Sequence, residues 1–197
     1  RYFDFKNIPI IMGILNLTPD SFSDGGKFNK INLATKQLKY LFKNGADLVD
    51  LGGESTRPGS KAISFSIEKN RVESLLKKID KKKIISLDTR KSKIMEMGIN
   101  LGVKLINDVS GLSYDKNSIN ILKKYKIPFV LQHSSGNPDV MQKNPKYKNV
   151  LLDVYDFFEK KLKFLRSIGI KHKDIILDPG IGFGKNLKHN MMLIKNI

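Results

Sequence analysis

The chain has 197 residues, 40% of them hydrophobic, which is enough for one large domain with a substantial core. It contains no cysteine, so disulfides and thiolate metal sites are excluded, and His133, His172 and His189 lie too far apart for metal-ligand spacing. The formal net charge of +17 invites a nucleic-acid reading, but 31 of the 36 basic residues are Lys, spread over expected helix faces without interleaved aromatics for base stacking.

The first apolar run is Ile10 to Leu15. Leu48 to Leu51, Ile84 to Leu87, Lys104 to Ile106, Pro128 to Leu131 and Ile175 to Leu177 follow in order. Each is short, aliphatic and followed by turn residues, the pattern of a strand buried on both faces. Helical patterns lie between them. Leu33, Leu38, Leu41 and Phe42 share a face ahead of Gly45, which sits where a C-terminal cap belongs. A stretch begun by Ser66 carries Ile67, Val72, Leu75, Leu76 and Ile79. Ser92 is placed to cap a helix through Ile94, Met97 and Leu101, closed by Gly102. Ser118 to Tyr125 is shorter, and Val150 to Leu165 is the strongest, ending before Gly169.

Six βα units in series predict an α/β fold with a parallel sheet. Helix-to-strand links such as Asn44-Gly45-Ala46 are brief, whereas the links after the strands (17–30, 52–65 and 133–147) are long. That asymmetry favours a (β/α)8 TIM barrel, whose working loops follow the strands at one rim. An open doubly wound sheet would place a glycine-rich phosphate loop after its first strand, and Asn16-Leu17-Thr18-Pro19 is not one. A closed barrel takes eight strands and about 250 residues. The chain therefore reads as a single barrel domain, residues 1–197, with six of the eight units. No apolar run nears the roughly 20 residues that span a bilayer. The start, Arg1-Tyr2-Phe3-Asp4-Phe5, has neither an initiator Met nor a signal stretch, so a trimmed N-terminus and a cytoplasmic location are expected.

The expected strands end on polar residues. The first delivers Asn16 and the loop Thr18-Pro19-Asp20-Ser21-Phe22-Ser23-Asp24-Gly25-Gly26, whose oxygens suit Mg²⁺ or a metal-bound phosphate. The second ends at Asp50 and runs into Gly52-Gly53-Glu54-Ser55-Thr56-Arg57-Pro58-Gly59, where Arg57 offers a planar fork to a carboxylate or diphosphate. Asp88-Thr89-Arg90, Asn107-Asp108 and Asp178-Pro179-Gly180-Ile181-Gly182-Phe183-Gly184-Lys185 close the third, fourth and sixth. Carboxylates in such places serve as general acids or bases, or accept hydrogen bonds from a flat heterocycle with N–H groups; any one alone is equally a helix cap. Asp88, Asn107 and Asp178 at one rim favour a shared site. His133, in Gln132-His133-Ser134, is a lone histidine and reads as structural.

Three strings carry a resemblance. Met12-Gly13-Ile14-Leu15-Asn16-Leu17-Thr18-Pro19-Asp20-Ser21-Phe22-Ser23-Asp24-Gly25-Gly26, then Asp50 to Gly59, then Leu177 to Lys185 closely resemble dihydropteroate synthase, with Leu87-Asp88-Thr89 and Ile106-Asn107-Asp108-Val109 between them in order. That family folds as a (β/α)8 barrel. It condenses 6-hydroxymethyl-7,8-dihydropterin diphosphate with p-aminobenzoate to 7,8-dihydropteroate and diphosphate in folate synthesis. The resemblance implies a transferase in which Asn16 helps hold Mg²⁺ and the diphosphate. It implies that Asp88, Asn107 and Asp178 bind the pterin and that Asp88 and Asp178 stabilise charge during the reaction. Thr56 would contact the pterin diphosphate, Phe183 would line the substrate pocket, and Phe22, Arg57 and Pro58 would close over p-aminobenzoate. It implies small-molecule substrates, no nucleic acid or membrane partner, and a full-length homodimer.

Two departures are visible. The family usually has Met-His-Met after strand five, where this chain has Gln132-His133-Ser134. The family's later Ser-x-Lys and Arg-x-His motifs have no counterpart before Ile197, which implies that residues 1–197 alone are inactive. A pterin-binding methyltransferase domain is one alternative, against which Ser55-Thr56-Arg57-Pro58-Gly59 and Asp20-Ser21-Phe22-Ser23 speak. A degenerate, non-catalytic pterin-binding module is the other.

Overall fold

The structure, a computed structural model, describes residues 9–18, 27–55, 60–134 and 145–196 (side chains of 27–30 excepted). They fall into two compact units, one within Arg1–Ser55 and Ala62–Asn107, the other within Thr56–Lys61 and Asp108–Ile197.

In the first unit β1 (Met12–Asn16), α1 (Lys27–Lys43), β2 (Leu48–Gly52), α2 (Phe65–Leu76), β3 (Ile85–Asp88), α3 (Ser92–Asn100) and β4 (Leu105–Asp108) alternate; Asp108 itself is counted with the second unit. The strands are parallel and pair in chain order. Val49, Leu51, Leu87 and Ile106 are fully buried, and so are Val72 and Leu75 of α2 and Ile94 and Met95 of α3. Each such side chain contributes about 1.5–3 kcal/mol by leaving water. α3 lies so close to β3 that a Cβ on Gly98 would collide with Leu87.

In the second unit α4 (Ser118–Tyr125), β5 (Phe129–Gln132), α5 (Val150–Ser167), β6 (Ile175–Asp178) and α6 (Leu187–Lys195) follow, with a 3₁₀ turn at His172–Asp174 before β6. β5 and β6 pair in parallel. Val150 and Val154 of α5 pack on Leu193 of α6, flanked by Tyr147, Leu151 and Phe158. Among the described residues no helix is long and apolar enough to cross a membrane.

The six βα units and their order agree with the sequence pattern; several details differ. β1, β3, β4, β5 and β6 each run on to a polar residue expected just beyond the apolar run, and β2 runs past Asp50 to Gly52, because the ladder continues through these ends. Leu17 N–H donates to Gly52 O at 2.7 Å, Thr89 N–H to Asn107 O at 3.0 Å and His133 N–H to Asp178 O at 2.9 Å. The expectation of strands buried on both faces fails for β1 and β6. Met12, Ile14 and Leu177 are exposed, whereas β2, β4 and β5 are buried along their whole length. Ser64, not Ser66, caps α2, accepting from the Ile67 amide. Ser92 is the first residue of α3, and Lys91 takes the cap position.

Candidate active site

One rung of the sheet gathers most of the polar strand ends. Asn16 pairs with Gly52, Gly52 with Asp88, and Asp88 with Asn107. In parallel strands, residues in register face the same way, so Asn16, Asp88 and Asn107 project from one face at the strands' C-terminal ends. Gly52 lies between two of them. A Cβ there would stand 3.1 Å from Asn16 Oδ1 and 3.4 Å from Asp88 Oδ2. The missing side chain leaves two oxygens converging over bare backbone, a donor set suited to a hard cation that keeps other oxygen ligands. Among the described residues no group of three His, Asp or Glu could hold a metal unaided.

Two residues deeper, Asp50 supports this rung. It is 5% exposed and accepts from Asn107 Nδ2 at 3.0 Å. Burial pushes its carboxyl above the ordinary aspartate value, against hydrogen bonds from Ser86 and Asn107. With Nδ2 bound to Asp50, Asn107 Oδ1 is a buried acceptor without a partner among the described residues. Leaving buried acceptors unpaired costs about 1–3 kcal/mol each. A ligand rich in N–H groups would recover that.

Behind the rung, Gly53 and Glu54 are clamped onto the helices. Arg71 Nη1 donates to Gly53 O at 2.8 Å. Glu54, 4% exposed, accepts from Ile63 N at 2.8 Å, Arg90 Nε at 3.1 Å and Lys91 Nζ at 3.0 Å. Lys91 Nζ also meets Glu68 Oε2 at 2.6 Å, and Thr89 Oγ1 donates to the other oxygen of Glu68, which is wholly buried. Burial opposes ionisation of Glu54. The hydrogen bonds from Arg90, the Ile63 amide and Lys91 outweigh it and hold the carboxyl below the usual glutamate value. Glu54, Arg90 and Lys91 stand in or beside the sequence motifs, yet their mutual pairing had no signal there. Glu54 and Arg90 are 36 residues apart, and only the fold joins them.

In the second unit Gln132 and Asp178 share a rung. Gly180 N–H donates to Asp178 Oδ1 at 2.7 Å and fixes the carboxylate's orientation. Gln132 is 2% exposed and its Nε2 has no partner among the described residues, so the residue standing where the family has Met brings a buried amide. His133 is buried, edge-on to Phe157 at 4.9 Å, and its Nδ1 is 3.0 Å from Lys185 Nζ. Burial, and then the Lys185 charge, lower its pKa to about 4. Lys185 is itself 3% exposed, a buried cation that the sequence showed only as the end of a glycine string. Phe183 lies in the turn closed by Phe183 N–H to Gly180 O at 3.0 Å.

Of the expected site residues, Asn16, Asp88 and Asn107 therefore stand together in the first unit, and Asp178 and Phe183 in the second. Phe22, Thr56, Arg57 and Pro58 lie outside the described residues. Residues 12–197 match the family described as pterin binding enzyme. The dihydropteroate synthase of Clostridium beijerinckii is 43% identical over 199 residues, which covers 100% of this chain and 71% of that enzyme.

The chain belongs to the dihydropteroate synthase family.

A solved dihydropteroate synthase from Clostridium difficile, crystallised in the presence of pteroic acid, aligns with a TM-score of 0.89 at 39% identity over 98% of this chain and 72% of its own. The Xanthomonas albilineans dihydropteroate synthase with 4-aminobenzoic acid aligns at 0.87 and 34%, over 95% and 67%. The fold of dihydropteroate synthase, the (β/α)8 barrel, is thus the fold of this chain, six of its βα units being present. The chain spans about 70% of the length of these relatives.

Proposed function

We propose that the protein is a dihydropteroate synthase, a transferase of folate biosynthesis that joins 6-hydroxymethyl-7,8-dihydropterin diphosphate to p-aminobenzoate and releases diphosphate. The observation that carries the site assignment is the rung of Asn16, Gly52, Asp88 and Asn107 over the buried, ligand-starved Asp50–Asn107 pair. A pterin is flat and edged with N–H groups, and Asn107 Oδ1 and the carboxylates of Asp88 and Asp178 are acceptors for them. Binding by acceptors also prepares the chemistry. As the C–O bond to diphosphate breaks, positive charge grows on the pterin methylene, and the negative charge of Asp88 and Asp178 stabilises it. The amine of p-aminobenzoate then attacks that carbon, and the proton it loses passes to solvent. No covalent enzyme intermediate is required.

Asn16 would hold Mg²⁺ through its carboxamide oxygen, beside Asp88 Oδ2. The cation, when bound, neutralises the departing diphosphate. Phe22, Thr56, Arg57 and Pro58 complete the reading as substrate contacts, with Arg57 offering its guanidinium to the aminobenzoate carboxylate. A homodimer in the cytoplasm belongs to the same reading.

The test is p-aminobenzoate-dependent diphosphate release by the full-length protein. Asp88→Ala should lower it by about 100-fold or more. Undiminished turnover in that variant would sink the mechanism.

A further inference from the structure

The glycine string that follows β6 is folded around the Lys185 ammonium. Lys185 Nζ lies 3.0 Å from Gly180 O, 3.0 Å from Phe183 O, 3.0 Å from His133 Nδ1 and 3.3 Å from His133 O. An ammonium has three N–H donors and no acceptor. It therefore assigns the histidine: Nδ1 must accept, so His133 is the neutral tautomer with its proton on Nε2. The three donors match the three acceptors at 3.0 Å, and His133 O shares one of them. A neutral amine has two N–H groups and a lone pair, so it cannot donate to all three acceptors at once.

The bonds around this cage lead to Asp178. Gly180, whose carbonyl the ammonium holds, donates its own N–H to Asp178 Oδ1 at 2.7 Å. His133, whose ring and carbonyl the ammonium also meets, donates its N–H to Asp178 O at 2.9 Å. Gly180 has φ +68° and sits against His133 O so closely that no side chain fits, which leaves the loop one way to pass. Tyr147 donates its hydroxyl to Gly184 O at 2.9 Å and so steadies the far end.

We infer that Lys185 is a positioning residue: its ammonium, caged by Gly180 O, Phe183 O and His133, sets the orientation of the Asp178 carboxylate and so the affinity for the pterin. This rests on the reading of Asp178 as a pterin ligand.

Among the described residues the charged and titratable groups around the cage are few. His133 faces Lys185 directly, and Asp178 acts on it by its charge. Asp153 of α5 acts on His133 in the same way, and Tyr147 and His189 of α6 stack beyond it. Burial lowers the Lys185 pKa to about 8, with Asp178 pulling it back up, and His133 titrates at about 4. Within the alkaline range the lysine is thus the group that changes the cage.

The experiment uses the full-length protein and reads binding of pteroic acid by calorimetry, beside steady-state kinetics. Lys185→Met keeps the stem and removes every donor. It should weaken pteroic acid about tenfold and raise the KM for the pterin diphosphate, while the KM for p-aminobenzoate stays within about twofold. Equal loss for both substrates, or unchanged pteroic acid affinity in the folded variant, would overturn the inference. A second readout needs no substitution. Protection of the Gly180 and Phe183 amides from hydrogen exchange, corrected for intrinsic rates, should fall as pH rises through about 8, while Leu131 of β5 keeps its protection. Uniform protection across that range would also overturn it. Should the wild-type protein make no dihydropteroate, the functional reading fails, and the amide readout still judges the cage.

Discussion

The two units bury a lysine in opposite ways. In the first, Lys91 sits between Glu54 and Glu68, with Arg90 alongside, so two carboxylates face two cations. In the second, Lys185 is held by two peptide carbonyls, a third at longer range, and a neutral imidazole, with no carboxylate in hydrogen-bond contact among the described residues. A carboxylate offsets the desolvation of a buried ammonium far better than peptide dipoles do. The outcome is visible on both sides. Glu54 is held more acidic than usual, and Lys185 is pushed down to about 8. A cation chosen for stability comes with its counter-charge. One that is poorly compensated is better explained by what it holds in place.

The largest expected effect separates these roles. Glu68→Ala leaves Lys91 short of one of its two carboxylates beside a wholly buried gap, and should cost about 3–5 kcal/mol by denaturant titration. Lys185→Met should cost far less, because it removes a poorly compensated charge. If the two losses prove equal, the contrast between the networks is wrong.

pH should divide them by sign. The folded protein releases the Lys185 proton near pH 8, the unfolded chain near 10.5. Between those values the unfolded state binds more protons, so this group's contribution to stability is gained as pH rises through about 8. Relative to Lys185→Met, the wild-type Tm should rise over that interval while pteroic acid affinity falls. Glu54 behaves otherwise. Its folded pKa lies below the ordinary 4.5, so its contribution is present above that value and lost as pH falls through the lower one. A Glu54→Gln protein should accordingly lose the acid limb of that stability profile. His133 adds to the acid limb: with a folded pKa of about 4 against 6.5, its contribution is full above 6.5 and is lost as pH falls through 4.

The smallest effect tests whether the cage or its neighbour matters. Asn186 follows Lys185 directly and caps α6, accepting from His189 N at 2.9 Å in a reciprocal capping box. Asn186→Ala should cost about 1 kcal/mol of stability and leave pteroic acid affinity alone. An affinity loss matching that of Lys185→Met would shift the positioning role from the cage to the helix.

Much of this was legible in residue order. The six apolar runs, the long links after strands and the row Asn16, Asp88, Asn107, Asp178 followed from periodicity and turn chemistry, because short-range pattern is what fixes a strand and its end. The misplacements are local too: Ser64 and Ser66 are both good caps, and only the chain's entry angle onto the sheet decides between them. Burial of β1 and β6 was misjudged because an apolar run reports its own composition and not what covers its two faces.

The sequence alone determined the six βα units, the polar rim and, through its long motifs, the family. Tertiary structure decided which polar residues meet. Registry across four strands brought Asn16, Gly52, Asp88 and Asn107 into one rung, and packing joined Glu54 to Arg90 and Lys185 to His133, across 36 and 52 residues. Such pairings depend on which groups lose water together. That is a property of three-dimensional burial, and spacing along the chain does not encode it.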